Sequence, residues 1–212
     1  MSLTGWIADR IPVSGDQLRE LTNEPVPNHL KRWWFCLGGT PAYLFVVQIV
    51  TGILLAFYYQ ASPDSAYESV RAITEEIPFG WFVRSLHKWA ATAMIASVVL
   101  HQMRVYFTGA YRRPREINWM IGMCLYAVHA RQFHGQSHSL VYEQLSYWGA
   151  TVGANIAAGV PIVGDFMKQM LLAGPEYNDN TLPRFFLLHA AAMPGAMVAL
   201  IAIHVALIRP RA

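Results

Sequence analysis

Charged side chains are scarce in this 212-residue chain: Asp, Glu, Lys and Arg make up 14% of it, while 54% is hydrophobic. An ordinary soluble domain carries roughly 25% charged residues. Too few polar side chains remain to cover a surface that faces water, and the high apolar content excludes a disordered chain. Cysteine is also scarce: Cys36 and Cys124 alone cannot build a disulfide framework or a zinc site. The composition therefore predicts a protein that crosses a membrane several times.

Four segments are predicted to span the bilayer, which takes about 20 apolar residues in a helix. The uncharged runs 33–63 and 185–208 are long enough by themselves. The second span, 80–108, extends an uncharged run of 15 residues with ends whose charges can reach the interface. The third, 117–130, has only 14 residues. The run 144–164 holds four glycines and a proline, so we predict short interfacial helices there.

Basic residues collect on one side of these spans. Lys31 and Arg32 precede the first span, four arginines lie in the link 104–116, and RPRA follows the fourth span, whereas the link between the first two spans is acidic. Basic segments stay on the cytoplasmic (n) side, so both termini are predicted there, and the opposite side is the p side. We expect an n-side arm at 1–32 and a four-helix membrane domain at 33–209.

Four of the eight histidines form two pairs with matched spacing. His87 and His101 are 14 residues apart in the second span, and His189 and His204 are 15 apart in the fourth. At 100° and 1.5 Å per residue, each pair occupies one stripe of its helix, with its members roughly 21–22 Å apart. Because both spans run in the same direction, His87 is level with His189, and His101 with His204. Two bis-histidine haems need this arrangement. Separate core histidines are the alternative, and zinc lacks a third ligand.

Small and basic residues accompany the histidines. Gly38 and Gly52 are 14 apart in the first span, and Gly122 and Gly135 are 13 apart around the third. They would let a flat macrocycle approach the backbone, although membrane helices are rich in glycine in any case. Arginines near the two levels are candidate partners of haem propionates or simple topology residues: Arg84, Arg104, Arg115 and Arg209.

With these residues in view, the chain resembles the cytochrome b family, in its b6-type N-terminal four-helix form, over about 26–209. The resemblance rests on VPNHLKRWWFCLGGTPAYLFVVQIVTGILLAFYY, FGWFVRSLHKWAAT, LHQMRVYFTGAYRRPREINW, YWGATV and TLPRFFLLH. It implies an all-α membrane protein of a bacterial inner or thylakoid-like membrane: a four-transmembrane-helix haem-binding bundle with interfacial helices. His87 and His189 would hold the p-side haem b, and His101 and His204 the n-side haem b.

The resemblance also gives Cys36 a role. In b6-type relatives the cysteine of the FCLGG segment forms a single thioether to a third haem, attached covalently in the c-type manner beside the n-side haem b. Without the resemblance, Cys36 would be a packed apolar residue. That is what we expect for Cys124.

The chain departs from the family after the third span. ARQFHGQSHSLVYEQ stands where relatives carry a Pro-Trp segment beside the quinol-oxidation pocket. Glu143 is here the candidate acceptor of a quinol proton. Proton carriage, another cofactor and simple solvation all stay open as roles for the extra histidines of this segment, His134 and His138. The sequence does not indicate a role for His129.

The implied function is membrane electron transfer in a quinol:cytochrome c or plastocyanin-type oxidoreductase, with quinol and quinone as substrates. The implied partners are a Rieske iron–sulfur protein, a c-type cytochrome, membrane lipid and a separate subunit supplying the C-terminal half of cytochrome b, in a dimeric complex that binds no nucleic acid. The altered segment 131–144 leaves an alternative: a b-haem subunit that links another dehydrogenase or reductase to the quinone pool without a Rieske partner.

Overall fold

The computed structural model describes residues 37–134 and 144–208, and for 131–134 and 144–147 it describes the backbone alone. Within these ranges the chain is helical and contains no strand. Its helices are α1 (Gly39–Ala56), α2 (Ala66–Glu75), α3 (Gly80–Phe107), α4 (Glu116–His134), α5 (Gln144–Ala158), α6 (Gly164–Leu172) and α7 (Thr181–Ile208). The predicted all-α class is confirmed.

The four long helices α1, α3, α4 and α7 form the bundle. α1 packs along α3, and α4 packs along the C-terminal part of α7, while contacts of α3 with α4 and of α1 with α7 join the two halves. The centre is apolar, because Phe45, Met94 and Met197 are buried there. We call these three side chains the central cluster.

Two of the described helices, α1 and α7, have the length and composition to cross a membrane unaided. Little of either is buried, 11% of the apolar window in α1 and 6% in α7. α3 is longer but carries Arg84, Lys88 and Arg104. These charges lie toward its ends, where such side chains can reach the polar interface.

The short helices α5 and α6 pack against each other and against the start of α7. Ala150, Ala154, Leu172 and Phe185 form a buried cluster there, with Tyr177 packed on it. With 15 and 9 residues, α5 and α6 are about 22 and 14 Å long, less than the roughly 30 Å of a hydrocarbon core. Neither helix is a span, which agrees with the short helices predicted for 144–164.

The start of α3 is fixed by a tight turn from α2. Phe79 has a left-handed backbone, with φ of 61°. A Cβ on Gly80 would overlap the carbonyl oxygen of Ile73, so only glycine lets α2 approach α3 this closely. The turn lies seven residues before His87 and thereby sets the height of that histidine.

α7 is not a uniform α-helix, because Leu188–Ala192 is π-helical between two α-helical stretches. Pro194 follows after Met193, two residues beyond the end of this stretch. Its nitrogen donates no hydrogen bond and its ring crowds the carbonyl four residues earlier, which a wider turn relieves. The wider turn takes up one extra residue, since its hydrogen bonds run from i to i+5. The 15 residues from His189 to His204 therefore match the 14 from His87 to His101.

Candidate haem-binding sites

The four predicted histidines meet as two pairs inside the bundle, each joining α3 to α7. The ring centroids of His87 and His189 are 6.3 Å apart, and those of His101 and His204 are 6.4 Å apart. We call them the 87/189 pair and the 101/204 pair. The structure thus brings together the residues that the spacing paired, at nearly equal separations.

This separation fits a metal ion held between two imidazoles. A coordinating imidazole nitrogen lies about 2.0–2.1 Å from a metal ion, so two bonds account for about 4 Å, and the nitrogen-to-centre distances of the rings for the rest. Among the described residues, no group of three or more His, Cys, Asp or Glu could hold a metal. A centre with two protein ligands needs its other ligands from a cofactor, and the planar nitrogens of a porphyrin supply them. The residues therefore fit haem.

Gly38, the residue before α1, and Gly52 within α1 stand directly against the histidines of α3. A Cβ on Gly38 would lie 3.3 Å from Cε1 of His101, and a Cβ on Gly52 would lie 3.3 Å from Cε1 of His87. The glycines therefore leave space for the two imidazole rings of α3. That they also make room for a flat macrocycle stays a prediction.

α4 approaches the 101/204 pair in the same way. A Cβ on Gly122 would lie 3.4 Å from Cε1 of His204. Gln102, next to His101 on α3, donates a hydrogen bond to the Gly122 carbonyl at 3.5 Å. The counterpart predicted for the other level, Gly135, lies outside the described residues.

Hydrogen bonds from α1 orient His87. Thr51 donates its hydroxyl hydrogen to the Val47 carbonyl at 2.6 Å, so its oxygen accepts from Nδ1–H of His87 at 2.8 Å. The hydrogen bond therefore fixes the tautomer of His87 that is protonated on Nδ1. In this tautomer the lone pair on Nε2 is available to a metal. Gln48 donates to the His87 carbonyl at 2.6 Å. The sequence analysis missed Thr51 and Gln48. Both are polar residues inside an otherwise apolar span, and that feature of the sequence could have identified them.

Positive charge lies at the 101/204 end. Arg104 is half-buried near the end of α3, three residues after His101, and its positive charge lies near that of Arg115. Like charges held this close favour an anion between them, and the carboxylates of a haem fit that requirement. Arg84 lies at the other level, exposed and three residues before His87.

Aromatic rings cover the 87/189 end. Tyr59, just beyond α1, packs on Phe186 with ring centroids 5.2 Å apart. Burial, and then the nearby Tyr177, raise the pKa of Tyr59, so its phenol stays neutral at any physiological pH.

Several predicted residues lie outside the described residues: Cys36, Glu143, Arg209, His138 and the side chain of His134. The prediction for Cys124 was wrong. Its side chain is exposed on α4 rather than packed in the bundle, because it points away from the neighbouring helices.

A helical membrane bundle with two histidine pairs at separate depths is the arrangement of a membrane cytochrome that carries two haems. The family model described as Cytochrome b/b6/petB matches residues 21–212. The chain belongs to the cytochrome b family, whose members bind haem b and transfer electrons in membrane complexes.

Curated relatives match over nearly the whole chain. It is 41% identical to the cytochrome b6 of Heliomicrobium gestii over 204 residues, 96% of this chain and 95% of that protein. It is 35% identical to the cytochrome b6 of Prochlorococcus marinus (strain MIT 9515) over 208 residues, 98% of this chain and 94% of that protein.

A solved structure shares the fold. A chain of a hyperthermophilic respiratory Complex III superposes with a TM-score of 0.80 at 30% identity, covering 99% of this chain. The match spans 55% of the length of that chain.

Removing the Thr51 hydroxyl should weaken haem retention at the 87/189 pair. Thr51→Val keeps the volume but leaves Nδ1 of His87 without its acceptor, and losing such a partner lowers metal affinity typically about 10–100-fold. In detergent-solubilised protein we expect loss of one of two b-type spectral components on washing. Thr51→Ser should retain both. Equal loss of both components in Thr51→Val would contradict the assignment.

Deleting one residue from the π-helical stretch should be tolerated. Deletion of Ala191 together with Pro194→Ala, which removes the ring that needs the wider turn, lets that turn close to an α-turn and keeps His204 level with His101. Deletion of Leu200 together with Pro194→Ala gives the same 14-residue spacing but turns His204 by about 100°, because that part of α7 is regular. A pyridine haemochrome assay should find two haems b in the first variant and one in the second. The same haem content in both would refute the argument.

Proposed function

We propose that this chain carries electrons across the membrane as the cytochrome b subunit of a quinol:cytochrome c or plastocyanin-type oxidoreductase. Quinol is oxidised near the 87/189 pair on the p side, and quinone is reduced near the 101/204 pair on the n side. The observation that carries the proposal is the presence of two imidazole pairs, 6.3 and 6.4 Å apart, at depths that differ by roughly 21 Å.

The chain's own residues hold and tune the cofactors. When bound, a haem iron exchanges one electron at a time between two oxidation states. His87, His189, His101 and His204 would hold the two haem irons through their ring nitrogens, and Thr51 keeps His87 in the tautomer that can ligate. The central cluster excludes water between the two levels and keeps the dielectric low. Arg104 and Arg115 offset the carboxylates at the 101/204 end.

The proposed partners follow from the two kinds of relative. Cytochrome b6 proteins match this chain over nearly their whole length, while the Complex III chain is almost twice as long as the match. A second subunit therefore supplies the rest of cytochrome b, beside a Rieske iron–sulfur protein and a c-type cytochrome in a dimeric complex. Both termini lie on the n side, with 1–32 as an arm and 33–209 as the membrane domain.

Two further residues enter the proposal through the resemblance. Cys36 carries a covalent haem on the n side, where a single thioether requires only a reachable vinyl group and Arg209 offsets the carboxylates. Glu143, in the segment that differs from the family, accepts a proton from quinol. The same unusual segment supports the second candidate function, a b-haem subunit serving another dehydrogenase or reductase.

The function is tested on the complex purified from its native membrane. We expect two haems b per chain by pyridine haemochrome, a co-purifying Rieske protein, and quinol oxidation that stops with quinol-site inhibitors. His87→Ala should lose one haem b and His101→Ala the other, because each breaks one pair. Co-purification with a dehydrogenase and no Rieske protein would establish the second candidate, and fewer than two haems b would overturn both.

Cys36 is tested by denaturing electrophoresis with haem staining. The wild-type chain should keep peroxidase activity and the mass of one extra haem after the haems b are extracted, because a thioether survives denaturation. Cys36→Ser should lose the stain yet keep both haems b. Cys124→Ser, a matched change at an exposed cysteine, should keep it. An unstained wild-type band would return Cys36 to a packed thiol.

A further inference from the structure

His129 on α4 is a buried histidine that neither haem site uses. Its side chain is 4% exposed, and neither ring nitrogen has a hydrogen-bond partner among the described residues. An unpaired polar group inside a protein destabilises the fold. An apolar side chain of similar size would avoid that penalty. We therefore expect the imidazole of His129 to have a function that offsets its cost.

His129 lies at mid-depth between the two pairs. It follows Gly122 by seven residues, which on a helix is about 20° short of two turns and roughly 10.5 Å along the axis. Because Gly122 faces His204, His129 lies on the same interior stripe, about halfway to the level of the 87/189 pair. Its neighbour Val128 packs against the central cluster.

The helices packed on α4 bring few charges to this depth. α4 contacts α7 and α3. The ionisable side chains of these two helices are Arg184, His189 and His204 on α7, and Arg84, His87, Lys88, His101, Arg104 and Tyr106 on α3. The cationic ones stand toward the helix ends, and the histidines belong to the two pairs. On α4 itself, Glu116 begins the helix, Cys124 and Tyr126 lie along it, and Arg131 and His134 lie in its last turn.

We propose that His129 binds a proton when an electron enters the bundle and releases it when the electron leaves. The inference rests on the proposed function. One electron from quinol reduces a ferric haem to the ferrous state, which removes one positive charge from the interior. One proton from the aqueous phase then binds the free imidazole nitrogen of His129 and restores that charge. The proton returns to water when quinone takes the electron.

The position of His129 predicts a specific signature. Two unit charges about 10.5 Å apart at an effective dielectric constant of about 20 change a binding equilibrium roughly tenfold. Since the ring is about equally far from both levels, the reduction of either haem should couple to its proton to a similar extent. A merely structural role would not make two haem potentials follow pH together.

The test is an optical redox titration of both haems b in the purified complex between pH 5.5 and 9. In the wild type, the midpoint potential of each haem should fall as pH rises. Over the whole pH range the fall should be about 59 mV for each haem, which is the one-electron equivalent of a tenfold change. His129→Phe keeps a ring of similar size but binds no proton, and both slopes should disappear. Met197→Leu, a volume-conserving change in the central cluster, should keep them.

If His129→Phe does not assemble, His129→Gln replaces it, because an amide does not titrate in this range. Slopes that persist in either variant, slopes absent from the wild type, or a change confined to one haem together with an altered spectrum would overturn the inference. Haem content is measured on the same samples. A wild-type complex with fewer than two haems b would show that the proposed function itself had failed, whereas two haems with potentials indifferent to His129 would refute this inference alone.

Discussion

The separation between imidazole rings on α3 and α7 is the constraint on which the rest of the bundle depends. It is 6.3 Å at one level and 6.4 Å at the other, and a metal bound from both sides tolerates only small departures. The glycines of α1 and α4 leave space for the rings. Thr51 turns one of them, and the π-helical stretch in α7 restores a register that a 15-residue spacing would otherwise lose.

A spacing of seven residues along the helices produces the two histidine levels and the apolar layer between them. Along α1 the order is Gly38, Phe45, Gly52, and along α3 it is His87, Met94, His101. Seven residues fall about 20° short of two turns, so each series stays on one face. Small residues and the paired histidines therefore occupy the two levels, and large apolar side chains fill the space between. The same spacing places Gly122 and His129 on α4, which makes His129 the polar member of an otherwise apolar middle layer.

The sequence predicted the helices and the pairing of the histidines because both depend on periodicity. The extent of α3, the short helices after α4 and the level of each histidine all follow from residue spacing and apolar runs. It did not predict the π-helical stretch, since the strain at Pro194 can be relieved in several ways and only the packing of α7 selects one. Thr51 and Gln48 were missed because their hydrogen bonds cross from α1 to α3, and no pattern within one helix records such a contact. The outward position of Cys124 was missed for the same reason.

A low-dielectric interior makes every buried polar group significant, because water is absent to satisfy it. Thr51 and Gln48 meet this requirement with backbone and ring partners at 2.6–2.8 Å. The four paired histidines would meet it through the metal that their geometry fits. Arg104 and Arg115 stand where an anion can offset them. In such a medium, moving one electron leaves an uncompensated charge that raises the energy of the next transfer. A bundle that shuttles electrons singly therefore gains from a group at mid-depth that can change its own charge in step.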